Sequence, residues 1–473
     1  MRTTIGWETW MPTRRAILRA GGLGVMGMNL PALLRARAMS PTLPDATFGK
    51  AKACIVLFMW GGPAQQDTWD LKPDAPEVYR GEFRPIETNV PGLSICEHFP
   101  LLARQAHRLA VIRSVHHADV NHLTATHELL TGGPAPLGTG DQLDADSPHY
   151  GAVVAQQRQG VLRTALPPFV QLRPTVVNGA PRFVEQSHGQ GAGWLGPTWN
   201  PFTIDDDPSR PDYRVGDFQL PDDMGPDRFN DRKRLLGALN AQAHQFEHCA
   251  QAVALDTHYA RAYDLLTTRR ALEAFDLSRE DPKLRSRYGM NPHGQSVLQA
   301  RRLVEAGVPV VTVFWPNDGL TNVSVYWDTH SRNFIDLKDR LMPAADQAFS
   351  ALLDDLGVRG LLDETLVVWT GEFGRTPRVG QAVVGGAGAG RDGRDHWAHC
   401  FSTVLAGAGI RNGTVYGASD RVAAYPSLDP VTPADVAATL YSLLGIDPAL
   451  ELLDQLGRPH VLCPGISIRG VLA

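Results

Sequence analysis

Long apolar runs, clusters of basic residues and paired-cysteine motifs are all missing from this 473-residue chain. No segment reaches the ~20 consecutive apolar residues that a bilayer-crossing helix requires, so an integral membrane protein is not expected. With 45 Lys+Arg against 50 Asp+Glu, a formal net charge of −5 and no Lys/Arg-rich run, the chain lacks the positive footprint that a nucleic-acid backbone demands. The 5 cysteines (Cys54, Cys96, Cys249, Cys400, Cys463) are odd in number and contain no CxxC, which indicates neither a disulfide framework nor a thiolate zinc site. Charged residues are few at 20%, yet 43% hydrophobic residues make an ordinary globular composition, unlike disordered, collagenous or coiled-coil chains. What the chain has in quantity is glycine (46) and proline (35), which imply many loops, where sites usually sit.

Near the start, Thr13-Arg14-Arg15-Ala16-Ile17-Leu18-Arg19 precedes the uncharged stretch Ala20 to Leu34, and Ala36-Arg37-Ala38 reads as a small-x-small cleavage site before Met39. Residues 1–38 are therefore expected to be a signal peptide, and the arginine pair resembles the twin-arginine export signal. A periplasmic or secreted protein is implied, handled by the twin-arginine export machinery and exported folded, so that a metal can be loaded before export.

Ala53 to Trp60 is a continuous apolar run ended by Gly61-Gly62-Pro63, the signature of a strand buried on both faces of a parallel sheet. Similar runs are Leu109 to Val115, Phe169 to Leu172, Val308 to Phe314, Leu366 to Thr370 and Phe401 to Leu405. Helical patterns separate them: Asn121 to Leu130, Pro148 to Gln157, Gln295 to Ala306, Phe334 to Leu356 and Pro433 to Leu444. This alternation predicts an α/β protein with a doubly wound, mainly parallel sheet flanked by helices. Gln186 to Gly225 reads as a long surface loop and Arg228 to Glu280 as a helical insertion, together an excursion over about 186–290 in a single domain spanning 39–473.

In open α/β sheets ligands bind beyond the carboxyl ends of the strands. The residues at those positions here are Gln65-Gln66-Asp67, His116-His117-Ala118-Asp119-Val120-Asn121-His122, Asp328-Thr329-His330, Glu372-Phe373-Gly374-Arg375 and Arg394-Asp395-His396-Trp397. Acids and histidines concentrate there, which suits a divalent cation with mixed oxygen and imidazole ligands: Zn²⁺, Mn²⁺ or Fe, or Ca²⁺ if oxygens dominate. Asp328 and His330 would share a face of an extended segment. Arg375 offers a planar fork to a phosphate or sulfate oxygen. Asn121 is placed to cap a helix, and His116 and His117 to support ligands from behind.

The ordered motifs GGPxxxDTWD, NHxxATHELLTG, WDTHxxNF, TGEFGRTP and GRDHW, spread from about Lys50 to about Gly465, resemble the secreted bacterial family called domain of unknown function 1501, which is placed in the alkaline phosphatase and sulfatase superfamily. The resemblance implies an alkaline phosphatase-like fold and a metal-dependent hydrolase ancestry. It makes Asp67 the counterpart of the superfamily's first metal aspartate, and Asp328, His330 and His396 counterparts of a second ligand group. Counting back from Leu130-Thr131-Gly132 puts His122 where sulfatases carry a Cys or Ser nucleophile, so formylglycine chemistry is not available, and His122 is either a ligand or a phosphoryl acceptor. The superfamily's late Asp-His/Asn pair is matched by Glu372, which can ligate a cation, and Phe373, which cannot. The expected activity is hydrolysis of a small anionic phosphate or sulfate ester, with a metal as Lewis acid and Arg375 stabilising the transferred group. The alternative is a catalytically inactive module of the same fold that binds an anionic glycan or another cell-envelope ligand.

Overall fold

The computed structural model describes residues 46–134, 143–162, 166–174, 186–215, 269–317 and 323–473, with isolated positions between these spans. The expected signal peptide, Cys249 and most of the expected helical insertion lie outside the described residues.

Each of the six apolar runs forms a strand: β1 (Ala53–Phe58), β2 (Leu109–Val115), β3 (Phe169–Leu172), β5 (Val310–Phe314), β6 (Thr365–Thr370) and β7 (Phe401–Gly407). Two short strands, β4 (Phe202–Ile204) and β8 (Thr414–Tyr416), complete an eight-stranded sheet of order β8-β2-β7-β6-β1-β5-β3-β4. Every residue of β1, β3, β5 and β6 is buried, which is why these runs are mostly apolar instead of alternating. At the centre, β1 is parallel to both neighbours, with Phe58 level with Phe314 of β5 and Thr370 of β6. The chain therefore leaves β1, β5 and β6 at one common edge.

The sheet is mainly parallel as expected, except that β7 runs antiparallel to both β6 and β2. An apolar run carries no information about direction. The connection from β6 to β7 contains no helix, and antiparallel neighbours need none.

Helices α1 (His122–Thr131), α2 (Tyr150–Gln157), α3 (Pro292–Glu305), α4 (Met342–Val358) and α5 (Pro433–Leu443) flank the sheet. Their starts follow from local chemistry. The Asn121 side chain accepts the Leu123 N–H at 2.9 Å, Asn291 caps α3 ahead of Pro292, and Thr432 with Asp435 forms a reciprocal capping box on α5. The single helix expected over Phe334 to Leu356 is instead a short helix (Asn333–Asp336), a π-helical turn (Leu337–Leu341) and α4. The surface loop expected from Gln186 also differs: it buries Ser187 and His188 and contributes β4, a strand too short to show periodicity. The described helices contain none long and apolar enough to cross a membrane. Thr47–Ala473 form one compact unit.

Candidate metal centre

Four side chains meet beyond the carboxyl ends of β1 and β6. His122 is the first residue of α1, Asp328 and His330 lie on the segment after β5, and His396 sits in the β6–β7 connection. One donor atom from each lies within 4.8 Å of all the others. Asp328 Oδ1 is the hub, 2.8 Å from His330 Nε2, 3.3 Å from His396 Nε2 and 3.4 Å from His122 Nε2. His330 Nε2 and His396 Nε2 are 2.9 Å apart. The Asp328–His330 segment is not extended: Thr329 and His330 N–H donate to the carbonyls of Trp327 and Asp328, and this tight turn brings the two side chains together. The turn reaches β1 because Trp327 N–H donates to Trp60 O at 2.6 Å. Gly61, at φ +99°, permits that approach, since a Cβ there would lie 2.3 Å from Asp328 N.

The opposite nitrogen of each imidazole faces an acceptor. His122 Nδ1 donates to Glu372 Oε1 at 2.5 Å, His396 Nδ1 to Val120 O at 2.7 Å, and His330 Nδ1 to Gly388 O. Carbonyls can only accept, so His330 and His396 carry their protons on Nδ1, and when neutral present lone pairs at Nε2, 2.9 Å from each other and near a carboxylate oxygen. Such a group of acceptors repels itself unless a cation or a proton lies among them. Ligand histidines are characteristically held in this way, with the remote N–H on a carbonyl or carboxylate. Asp328 Oδ1 lies 2.8–3.4 Å from the three Nε2 atoms, close enough for one cation to bridge them. Beside the cluster, Glu372 is fully buried and its Oε2 has no hydrogen-bond partner among the described residues. The donor set and its supports fit a divalent cation.

Without a cation, protonated side chains supply the balancing charge. Burial works against ionising Asp328, but Arg375 and His122 hold its carboxyl well below the usual range. Burial also opposes charging His122, yet Asp328 and Glu372 outweigh it and push the imidazole up to about 9. Burial pulls His396 down to about 4 despite Asp328.

The other expected site residues are placed differently. Asp67 is fully buried away from the four donors: Arg394 grips both its oxygens (Nε 2.7 Å, Nη2 3.1 Å) and Asn333 Nδ2 donates at 2.9 Å. It anchors the segment that carries His396. Glu372 stands behind His122 and also accepts the Gly61 N–H at 2.8 Å. Arg375 touches the cluster through Asp328 Oδ1 at 2.5 Å, but it is fully buried and its other guanidinium hydrogen bonds go to the carbonyls of Gly61, Gly62 and Arg394. Phe373 packs its ring against His122 and His396, with centroids at 4.8 and 4.6 Å. His117 donates from Nε2 to the backbone carbonyl of Glu372 at 2.7 Å. The sequence assigns no role to Gln65 and Gln66, whose amides donate to the Arg375 and Thr376 carbonyls, or to the Val120 and Gly388 carbonyls, which no side-chain pattern can signal.

The model of the family described as "Protein of unknown function (DUF1501)" matches residues 51–472. Among solved structures the chain is similar to the lipoteichoic acid synthase LtaP from Listeria monocytogenes (11% identity, 94% of this chain and 82% of that chain covered, TM-score 0.40). It is also similar to a protein in the alkaline phosphatase superfamily from Vibrio parahaemolyticus (11% identity, 92% and 75% covered, TM-score 0.39) and to the PsFucS1 sulfatase from Pseudoalteromonas sp. (14% identity, 89% and 72% covered, TM-score 0.37). No curated protein matches the chain.

Proposed function

The chain belongs to the DUF1501 family, and from its site we propose that it is an exported, metal-dependent hydrolase of phosphate or sulfate esters. The observation that carries this reading is the convergence of three imidazole Nε2 atoms on the Asp328 carboxylate, with each ring held from behind at Nδ1. The ester class is supported by the order of the sequence motifs, and export by the N-terminal pattern.

His122, Asp328, His330 and His396 would hold the cation. Three nitrogens and one oxygen favour Zn²⁺, Fe or Mn²⁺ over Ca²⁺, which prefers six or more oxygens. When bound, such an ion supplies Lewis acidity and lowers the pKa of water. In this reading His122 is a ligand, because both of its nitrogens are engaged, one by Glu372 and the other by the cluster. Arg375 keeps Asp328 ionised and in place, with its donors turned to protein oxygens rather than to a transferred group. Glu372 fixes the Nδ1 proton of His122, and Phe373, which the family resemblance aligns with a further ligand of the superfamily, packs against His122 and cannot ligate, which supports a single ion.

Elemental analysis of the chain purified without added metal, beside Asp328→Asn and His396→Ala, tests the reading together with a screen of aryl phosphates and sulfates. Near-stoichiometric metal that is lost in both variants, with hydrolysis falling in parallel, is the expected result. Metal without hydrolysis of any ester would favour the inactive module that binds an anionic envelope glycan. A folded wild-type chain that neither contains nor takes up metal would overturn the proposal.

A further inference from the structure

The glycine-rich segment 383–390 is low-complexity in sequence, yet it is tied closely to the cluster through Asp395. This residue is fully buried. Its Oδ2 accepts the N–H groups of Val383 (2.9 Å) and Gly388 (3.2 Å), and its Oδ1 accepts the His396 N–H (2.9 Å) and lies 3.5 Å from His330 Nδ1. All of these neighbours are N–H groups. Gly386 lets the segment approach so closely, because a Cβ at that position would stand 2.4 Å from Asp395 Oδ1. The segment answers with its own backbone: the Gly388 carbonyl accepts from His330 Nδ1, and Gly390 N–H donates to His330 O at 2.6 Å.

We propose that Asp395 is a positioning residue: by fastening segment 383–390 it aims the Gly388 carbonyl at His330 Nδ1, so that the ring proton stays there and Nε2 is left bare for the cation. The inference rests on the reading of the cluster as a metal centre. Only an ionised carboxylate offers enough acceptor sites for this set of donors. An asparagine at the same place has one acceptor oxygen, and its NH₂ must point at another N–H whichever way the amide turns. The two termini of the arrangement are also coupled, since Asp395 precedes ligand His396 in the chain and holds its N–H.

Two variants test this without touching a ligand side chain. Asp395→Asn removes the acceptor charge. Gly388→Ala leaves the surroundings unfilled, as no atom lies within 4 Å of its Cβ position, but strains the backbone at φ +92° and so turns the carbonyl. Val384→Ala, at a fully exposed side chain of the same segment, is the control. In the metal-free chain, ¹⁵N-histidine NMR is expected to show His330 as the Nδ1–H tautomer in wild type and Val384→Ala, and mixed with Nε2–H in the other two. Titration with Co²⁺, followed by its visible absorption, is expected to show Kd raised 10–100-fold in Asp395→Asn and Gly388→Ala, the range for lost supports of ligand histidines. Wild-type-like tautomer and Kd within threefold in both variants would overturn the positioning role while leaving the metal centre intact. If wild type takes up no Co²⁺, the metal reading falls, and the tautomer measurement alone decides what Asp395 does. Should Asp395→Asn misfold, Gly388→Ala carries the test.

Discussion

Replacing Asp67 by Asn separates anchoring from ligation. Asp67 and Arg394 are both fully buried and joined by a two-point contact, and Asn333 adds a third hydrogen bond to the carboxylate. Removing one charge of a buried pair strands the other in a low-dielectric site, at a cost of about 3–5 kcal/mol. The lower end applies, because Arg394 also donates to the carbonyls of Thr376, Pro377 and Tyr79, which remain. For a folded unit of roughly 430 residues the unfolding entropy is about 0.9 kcal/mol/K, so Tm should fall by about 3 °C. Metal per folded molecule should not change. The assay is elemental analysis on the fraction whose near-UV circular dichroism is native, beside scanning calorimetry, with Asp328→Asn as the metal-losing reference. Loss of metal from natively folded Asp67→Asn would refute the assignment and return Asp67 to the ligand set. An unchanged Tm would refute the argument about the buried pair.

Gly61→Ala should be among the most damaging single-methyl changes, because its Cβ would fall 2.3 Å from Asp328 N at a φ of +99°. We expect roughly 3 kcal/mol of lost stability in urea unfolding together with reduced metal content, and a variant of wild-type stability would contradict the close approach. Burial pushes His149 and His293 down to about 3, so the folded state keeps both neutral while the unfolded chain protonates them from about 6.5 downward. Stability contributed by this pair is intact above pH 6.5 and lost on acidification, by about 1.4 kcal/mol per group per pH unit and roughly 4 kcal/mol for the two at pH 5. Urea midpoints that do not fall from pH 6.5 to 5 would refute it. Asn121→Ala should cost about 1 kcal/mol through the lost cap on α1, measured by the same unfolding curves, and a neutral effect would show that the Leu123 N–H finds another acceptor.

The sheet was largely legible because burial on both faces leaves a plain mark. The ends of β2 and β3 coincide with their apolar runs, and the five helical patterns read among the strands are each present in some form, whereas most of the expected insertion lies outside the described residues. Strand direction was not legible, as β7 shows, nor was the three-residue β4. Within the site, Asp328, His330 and His396 stood out because acids and histidines beyond strand ends have few other reasons to cluster. Asp67 looked equivalent on that criterion. What distinguishes it is Arg394, some three hundred positions later, and a pairing at such separation leaves no local trace. The supporting acceptors at Val120 and Gly388 are backbone atoms, present in every residue and therefore absent from any pattern of side chains.

The reversed direction of β7 has an architectural consequence. Because β6 and β7 are hydrogen-bonded neighbours running in opposite senses, with Trp369 beside Val404, everything between them is the closed end of one broad hairpin. Glu372, Phe373, Arg375, Arg394, Asp395 and His396 all belong to that single excursion, which leaves the sheet and returns to the adjacent position. The entropic cost of closing such an excursion rises only slowly with its length, about 0.6 kcal/mol per doubling. The stretch is thus a cassette: evolution or an engineer can lengthen, shorten or exchange it, and so rewrite much of the chemistry of the site, without disturbing the order of the strands.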